Sequence, residues 1–293
     1  MSVISRLFGN KSKLPQTDEA LVENPDIKDS LSLGIVFKGQ FCFDEDKLLK
    51  ILSNLDVSMK GIRCNKPFGQ FEEGYYALFG WGKHVIKVVG VNAPYPADSL
   101  EICIGPAHYS QEIKAQIRNN DSHLILYYVG YEQDVLEQYL ALTRLAAGFE
   151  PFNALAVINE YGYTSLPINV ISDLITEKNV KEGLCDCLLM FFCGFVKYEV
   201  ENVNGVWMRT YGADVFGLPD FAVLANSHDE GEHYFMLFQD ILNYLRKSGA
   251  TMVAGDTMEY GDDNKIMLLR SPSDEEYYLK DKGNVIVIEM RDK

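Results

Sequence analysis

Basic side chains are few in this chain of 293 residues: 27 Lys and Arg stand against 42 Asp and Glu, for a formal net charge of −15. An excess of acid repels phosphate backbones and anionic lipid, so nucleic acid and membrane surfaces are not expected partners. Long apolar runs are missing as well. The most apolar one, Leu188 to Val196, is too short to span a bilayer and is followed by charge. Met1 to Lys13 has a short apolar patch (Val3, Ile4, Leu7, Phe8) but no h-region or small-residue cleavage site, so it does not read as a signal peptide. A cytoplasmic location is expected by elimination. The six cysteines are too sparse for a disulfide scaffold, and most lie in apolar runs such as Phe41-Cys42-Phe43, where thiols act as small hydrophobes. Cys185-Asp186-Cys187 has neither CxxC nor zinc spacing.

Core material is ample. Hydrophobic residues make up 47% of the chain, with 17 Tyr and 16 Phe, and the length allows two domains. Residues 1–30 read as a flexible leader. Leu33 to Lys38 reads as a buried strand, followed by a helix capped by Asp44. Tyr75 to Phe79 and His84 to Val91 read as a hairpin carrying an exposed Trp81, ended by Pro94 and Pro96. Tyr109 to Arg118 is expected as a helix, Ser122 to Val129 as a strand, Asp134 to Ala147 as a helix and Asn153 to Ile158 as a strand. This β-α-β-β-α-β order predicts a ferredoxin-like domain over 31–165, with helices on one face of a mainly antiparallel sheet.

A smaller β-β-α-β-β domain is expected over 168–293, giving an α+β fold overall. Ile168 to Thr176 reads as a short helix, Asn179 to Gly183 as a polar turn and Leu188 to Val200 as a long strand. Asn204-Gly205 is a hairpin turn signal. The clearest helix begins at Ser227, with Glu230 three residues on as in a capping box. Its apolar stripe is Tyr234, Leu237, Phe238, Ile241, Leu242 and Leu245, and Gly249 closes it.

No local pattern identifies a reaction. His228 and His233 are five apart, turned from each other by roughly 140° on a helix, and so lack the zincin arrangement. Gly80-Trp81-Gly82-Lys83 lacks the phosphate-loop pattern, and Asp262-Asp263-Asn264 is only a fragment of a calcium loop. Neither His108 nor His123 has a partner visible in sequence. No catalytic residue, metal site or cofactor is therefore predicted.

The most distinctive stretch is Trp207 to Phe221, which holds Gly212, Gly217 and Pro219 among aromatics, Arg209, Asp214 and Asp220. Glycine permits backbone angles that other residues resist, and proline fixes its own φ, so this segment is built to hold one shape. Trp207, Arg209, Tyr211 and Asp220 are its candidate binding residues. Arg209 either pairs with Asp214 or Asp220 and locks the segment, or binds a carboxylate or phosphate in an interdomain cleft.

Trp207-x-Arg209-Thr210-Tyr211-Gly212, followed by Phe216-Gly217-Leu218-Pro219-Asp220, resembles a bacterial domain-of-unknown-function family, number 4261. The stretch from His123 to Ala154 is also similar, so the resemblance covers about residues 70–290. It implies a cytoplasmic bacterial protein of unassigned activity and transfers no catalytic residue. The expected function is a protein-binding or scaffold module, such as an immunity or accessory protein, with a basic protein as a partner suited to the acidic charge. The alternative is a hydrolase working in an interdomain cleft near Arg209, Tyr211 and Asp220.

Overall fold

The computed structural model describes residues 20–66, 74–177, 180–260, 265–280 and 283–292. The fold is α+β, and its sheets are mainly antiparallel.

The first half begins with β1 (Ser32–Phe37), an apolar run buried almost throughout. Asp44 caps α1 (Glu45–Leu55) by accepting the Lys47 N–H. Then come β2 (Arg63–Asn65), β3 (Gly74–Trp81) and β4 (His84–Val91). Gly82, with φ +52°, makes the expected hairpin turn. Next are α2 (Ala97–Ile104), α3 (Gln111–Arg118), β5 (Ser122–Tyr128), α4 (Val135–Ala147), β6 (Ala154–Asn159) and β7 (Thr164–Pro167). The strands form one sheet in the order β2-β3-β4-β5-β1-β6-β7, each pair antiparallel.

This sheet departs from the ferredoxin-like expectation. β1 lies between β5 and β6 and is antiparallel to both, so those two strands run parallel, with α4 as their crossover. That is one split β-α-β unit, extended by a meander from β2 to β5. The helices also cover both faces. Leu33, Ile35 and Phe37 share a core with α1 and α4, whereas Val36, Ala156 and Ile158 pack with α2 and α3. A strand that is apolar at every position can be covered on both sides. Two helices, not the single one expected, lie between the hairpin and β5. Pro96 in fact starts α2, a position where the missing N–H costs little.

Trp81, expected to be exposed, is only 5% exposed and packs in the main core. Among the cysteines, Cys103 and Cys193 are buried, but Cys42 is exposed. Of the expected leader, residues 1–19 lie outside the described residues. Residues 20–30 run against the sheet: Asn24 donates its N–H to the Val129 carbonyl (2.9 Å), and Glu23 accepts from Tyr76 and Lys87.

The second half contains α5 (Ile168–Thr176), α6 (Val180–Asp186), β8 (Gly194–Tyr198), β9 (Val206–Tyr211), β10 (Asp220–Ala225), α7 (Gly231–Ser248), β11 (Thr257–Tyr260), β12 (Lys265–Arg270) and β13 (Val285–Asp292). Their sheet runs β11-β12-β13-β10-β9-β8, antiparallel except for β10 with β13. The expected β-β-α-β-β pattern lacks β10 and β11. β10 follows directly on Pro219, so in sequence its start merges with the glycine- and proline-rich segment. Of Asn179 to Gly183, expected as a turn, Asn179 lies outside the described residues and Val180 to Gly183 belong to α6. Leu188 to Val200 is not one strand: a 3-10 turn occupies Leu188–Met190, and β8 starts only at Gly194. A short apolar run does not by itself distinguish a strand from a buried turn.

The stripe and stop of α7 match the expectation, but the helix begins at Gly231 and Ser227 instead caps a preceding 3-10 turn at His228–Glu230. The Ser227 hydroxyl accepts the Asp229 N–H, Glu230 reaches back to the Asn226 N–H, and Gly249 closes the helix at φ +67°. All six stripe residues are buried. No helix among the described residues is long and apolar enough to cross a membrane. One apolar cluster draws on both sheets. Tyr139 of α4 stacks on Phe192 and Phe216, at 4.9 and 5.8 Å between ring centroids. The Asn159 amide donates to the carbonyls of Phe191 and Phe192 (3.2 and 3.1 Å).

Candidate functional site

Strand alternation places Trp207, Arg209 and Tyr211 of β9 on one face. Arg209 is opposite Ala222, so Asp220, two residues earlier on β10, lies on that same face. Gly212 (φ +89°) and Gly217 (φ +70°) bracket a 3-10 turn at Ala213–Phe216 that joins the strands. Both adopt the left-handed conformation for which glycine is suited. Asp220 Oδ1 accepts from the Thr210 hydroxyl (2.9 Å) and the Ala213 N–H (3.2 Å), while the Phe221 N–H donates to Thr210 Oγ1 (2.9 Å). The Arg209 guanidinium carbon sits 4.1 Å from the Tyr211 ring centroid. Trp207 Nε1 donates to the Tyr278 hydroxyl (3.1 Å).

The structure thus gathers the four expected residues on one face, but nearly sealed from solvent. Arg209 is 0% exposed, Asp220 1% and Tyr211 5%. Burial pushes the Asp220 carboxyl up to about 6, while the Ala213 amide, the Thr210 hydroxyl and Arg209 pull it down and Asp214 raises it. The turn between β6 and β7 covers this corner. The Tyr161 hydroxyl donates to Asp214 Oδ2, and the Tyr163 ring lies 4.5 Å from that of Tyr211. Gly194 admits the close approach: a Cβ there would stand 1.8 Å from the Gly162 carbonyl oxygen.

Beside the corner lies an apolar cavity of about 440 Å³. Its walls come from the loop before α3 and Ile113 on that helix, from β7, from Asn169 and Val170 of α5, from the turn at 187–190, from Phe195 of β8 and from Phe235 of α7. Tyr163 belongs both to this wall and to the stack on Tyr211, so the buried corner backs the cavity. No Asp, Glu, Lys or Arg lines it. The Tyr109 and Ser165 hydroxyls bond to each other (2.8 Å), and Ser165 also donates to the Cys103 carbonyl (3.1 Å). Partial burial, with Lys197 and Lys114 adding positive charge, lowers the His108 pKa, so its imidazole is neutral at pH 7. Burial raises Cys187, which stays a thiol.

His108 and Cys187, unconnected by any sequence pattern, both line the cavity. The loop before α3 carries His108 there and the turn at 187–190 carries Cys187. The remaining histidines are placed elsewhere. His123 Nδ1 lies 2.8 Å from the Ala93 carbonyl. His228 Nε2 lies 3.2 Å from Glu199, and the His233 ring packs on Tyr234. Asp262-Asp263-Asn264 lies outside the described residues. Among the described residues no group of three or more His, Cys, Asp or Glu is arranged to hold a metal ion.

Residues 209–289 match the model of the family described as a domain of unknown function (DUF4261). The match bears out the likeness carried by the Arg209–Asp220 motif. It runs from the corner through α7 to β13, so Phe235 is the one cavity-lining residue inside it. No curated protein and no solved structure matches the chain.

Proposed function

We propose that the protein is a non-enzymatic, protein-binding module whose contact surface is the cavity between the two sheets. Trp207, Arg209, Tyr211 and Asp220 then act as its rigid backing. The observation that carries this reading is an open apolar cavity of about 440 Å³ whose walls hold no carboxylate and whose histidine is neutral. Volume and lining fall within the range of sites that take apolar groups. A hydrolase centred on Arg209, Tyr211 and Asp220 is the weaker reading, because substrate would have to reach side chains at most 5% exposed. The described cysteines are free thiols, which suits a reducing cytoplasm, and the module is proposed to work there.

Val170→Trp tests the reading, since this half-buried wall residue can fill the cavity without entering the core. Wild type should bind Nile red and retain a partner from lysate of its native host. The variant should lose both at an unchanged melting temperature. Equal Nile red binding by the two proteins would remove the cavity as the contact surface.

A further inference from the structure

We infer that the cavity takes an apolar side chain from a partner protein, flanked on the partner's own chain by aspartate or glutamate, whose charge Lys114 and Lys197 answer. This rests on the reading of the cavity as the contact surface and adds the chemistry of the occupant.

The argument is charge complementarity at the wall. No charged side chain lines the cavity, but two lysines stand beside its His108 end. Lys114 of α3 is 5% exposed, and its Nζ donates to the Gly105 carbonyl (2.6 Å), where the loop that carries His108 begins. It also lies over the ring of the lining residue Tyr109, 5.9 Å from the centroid. Lys197 comes two residues after the lining residue Phe195 on β8, so strand alternation puts both on one face. Its Nζ reaches the His228 carbonyl (3.4 Å) and rests on Gly231 at the start of α7, where a Cβ would stand 2.9 Å from it.

The charges that act on His108 are these two lysines and no carboxylate. An ammonium bonded to a carbonyl keeps its whole charge. Neither lysine forms an ion pair among the described residues. Glu101, which also acts on Lys114, is already held by Arg118 Nε and Nη2 (2.9 and 2.8 Å).

Hydroxyl geometry decides which part of the occupant goes inside. Ser165 is 2% exposed and donates its one proton to the Cys103 carbonyl (3.1 Å). In its 2.8 Å bond with Tyr109 the phenol is therefore the donor. Both oxygens then have only lone pairs left, which repel a carboxylate and leave the floor to an apolar group. His108, by contrast, is exposed and marks the rim. A carboxylate at that end gains from two cations, and a lysine there is repelled. On a chain of net charge −15 this wall is locally the reverse of the whole. Ion pairs at a partly exposed site are individually weak, so two together amount to about tenfold in affinity.

The probe is a rhodamine-labelled peptide, Gly-Glu-Glu-Leu-Leu-Glu-Glu-Gly, compared with versions carrying Lys or Ser in place of Glu. Anisotropy is read on the full-length protein. The Glu-flanked peptide should bind about tenfold more tightly than either alternative, against the sign of the net charge, and should not bind Val170→Trp. It should bind about tenfold more weakly to the combined variant Lys114→Met, Lys197→Met and like wild type to Lys114→Arg, Lys197→Arg. A control, Lys50→Gln, Lys60→Gln, removes the same charge from exposed positions at α1 and after it, and should also bind like wild type. Where loss of Lys114 unfolds the protein, Lys197→Met alone should weaken binding about threefold.

Equal loss in the Met variant and the control, unchanged affinity in Lys197→Met, retained binding by Val170→Trp, equal or tighter binding of the Lys- or Ser-flanked peptide, or no binding of any peptide would overturn the inference. Decanoate that displaces Nile red while every peptide fails would put a lipid-like anion in the partner's place. Nile red separates the two readings. Dye blocked by Val170→Trp with failing peptides removes only the acid-flanked occupant, whereas a dye indifferent to Val170→Trp removes the cavity itself.

Discussion

Replacing Asp220 by asparagine should remove a pH dependence that the wild-type fold carries. Asn keeps an oxygen for the Thr210 hydroxyl and the Ala213 amide but cannot ionise. Asp220 is 1% exposed, and burial raises its carboxyl from 3.8 to about 6, against the pull of Ala213, Thr210 and Arg209. A carboxyl with a folded pKa above its unfolded one binds its proton more tightly in the fold. Its contribution to stability is therefore complete below about pH 4 and is lost as pH rises through about 6. A difference of about two pH units, at about 1.4 kcal/mol each, amounts to about 3 kcal/mol.

Urea unfolding of both proteins at pH 4, 5, 6 and 7 reads this directly. Between pH 4 and 7 the wild type should lose up to about 3 kcal/mol relative to Asp220→Asn. The offset between the two curves also contains the loss of a counter-charge for buried Arg209, so the decisive quantity is the slope. A flat difference, or a wild type that gains on the variant as pH rises, would mean that Arg209 holds Asp220 ionised. The account of the corner as dominated by desolvation would then be refuted.

The continuous core predicts one cooperative unit. Trp81 and Trp207 report one sheet each, so in Trp81→Phe and in Trp207→Phe the fluorescence transition in urea should coincide with far-UV circular dichroism; a fluorescence change that leads the other signal would show the halves unfolding separately. Phe192→Ala, which removes the ring stacked on Tyr139, should cost about 3–5 kcal/mol by the same assay. Gly194→Ala should cost about 3 kcal/mol or more, because its Cβ meets a backbone oxygen, whereas Gly39→Ala, with φ +78° and open space around it, should cost about 1–2 kcal/mol.

Local signals were reliable where a single element satisfies itself. Asp44 capping α1, the Gly82 hairpin, the bounds of α5, and the apolar stripe and Gly249 stop of α7 all lie where the sequence places them, because capping, turn chemistry and amphipathic spacing act over a few residues. Two of the misses share one cause. α2 hid behind Pro96 and β10 behind Pro219, since punctuation marks where an element ends without excluding that another begins there. Trp81 was placed outside by its hairpin turn and drawn inside by the sheet's packing.

The candidate site divides along the same line. Gly212, Gly217 and Pro219 were enough to mark Trp207 to Phe221 as a segment that holds one shape, while the shared face of Trp207, Arg209 and Tyr211 follows from β9. Whether that face is open or sealed depends on the turn at Tyr161–Tyr163, which is distant in sequence and arrives only when the sheets meet. The cavity is decided there too, since its walls come from segments between Pro106 and Phe235. Amino-acid order determines the short-range geometry because neighbours in the chain are always neighbours in space. Enclosure, depth and the pKa of Asp220 follow from contacts between remote segments, and those exist only in the packed molecule.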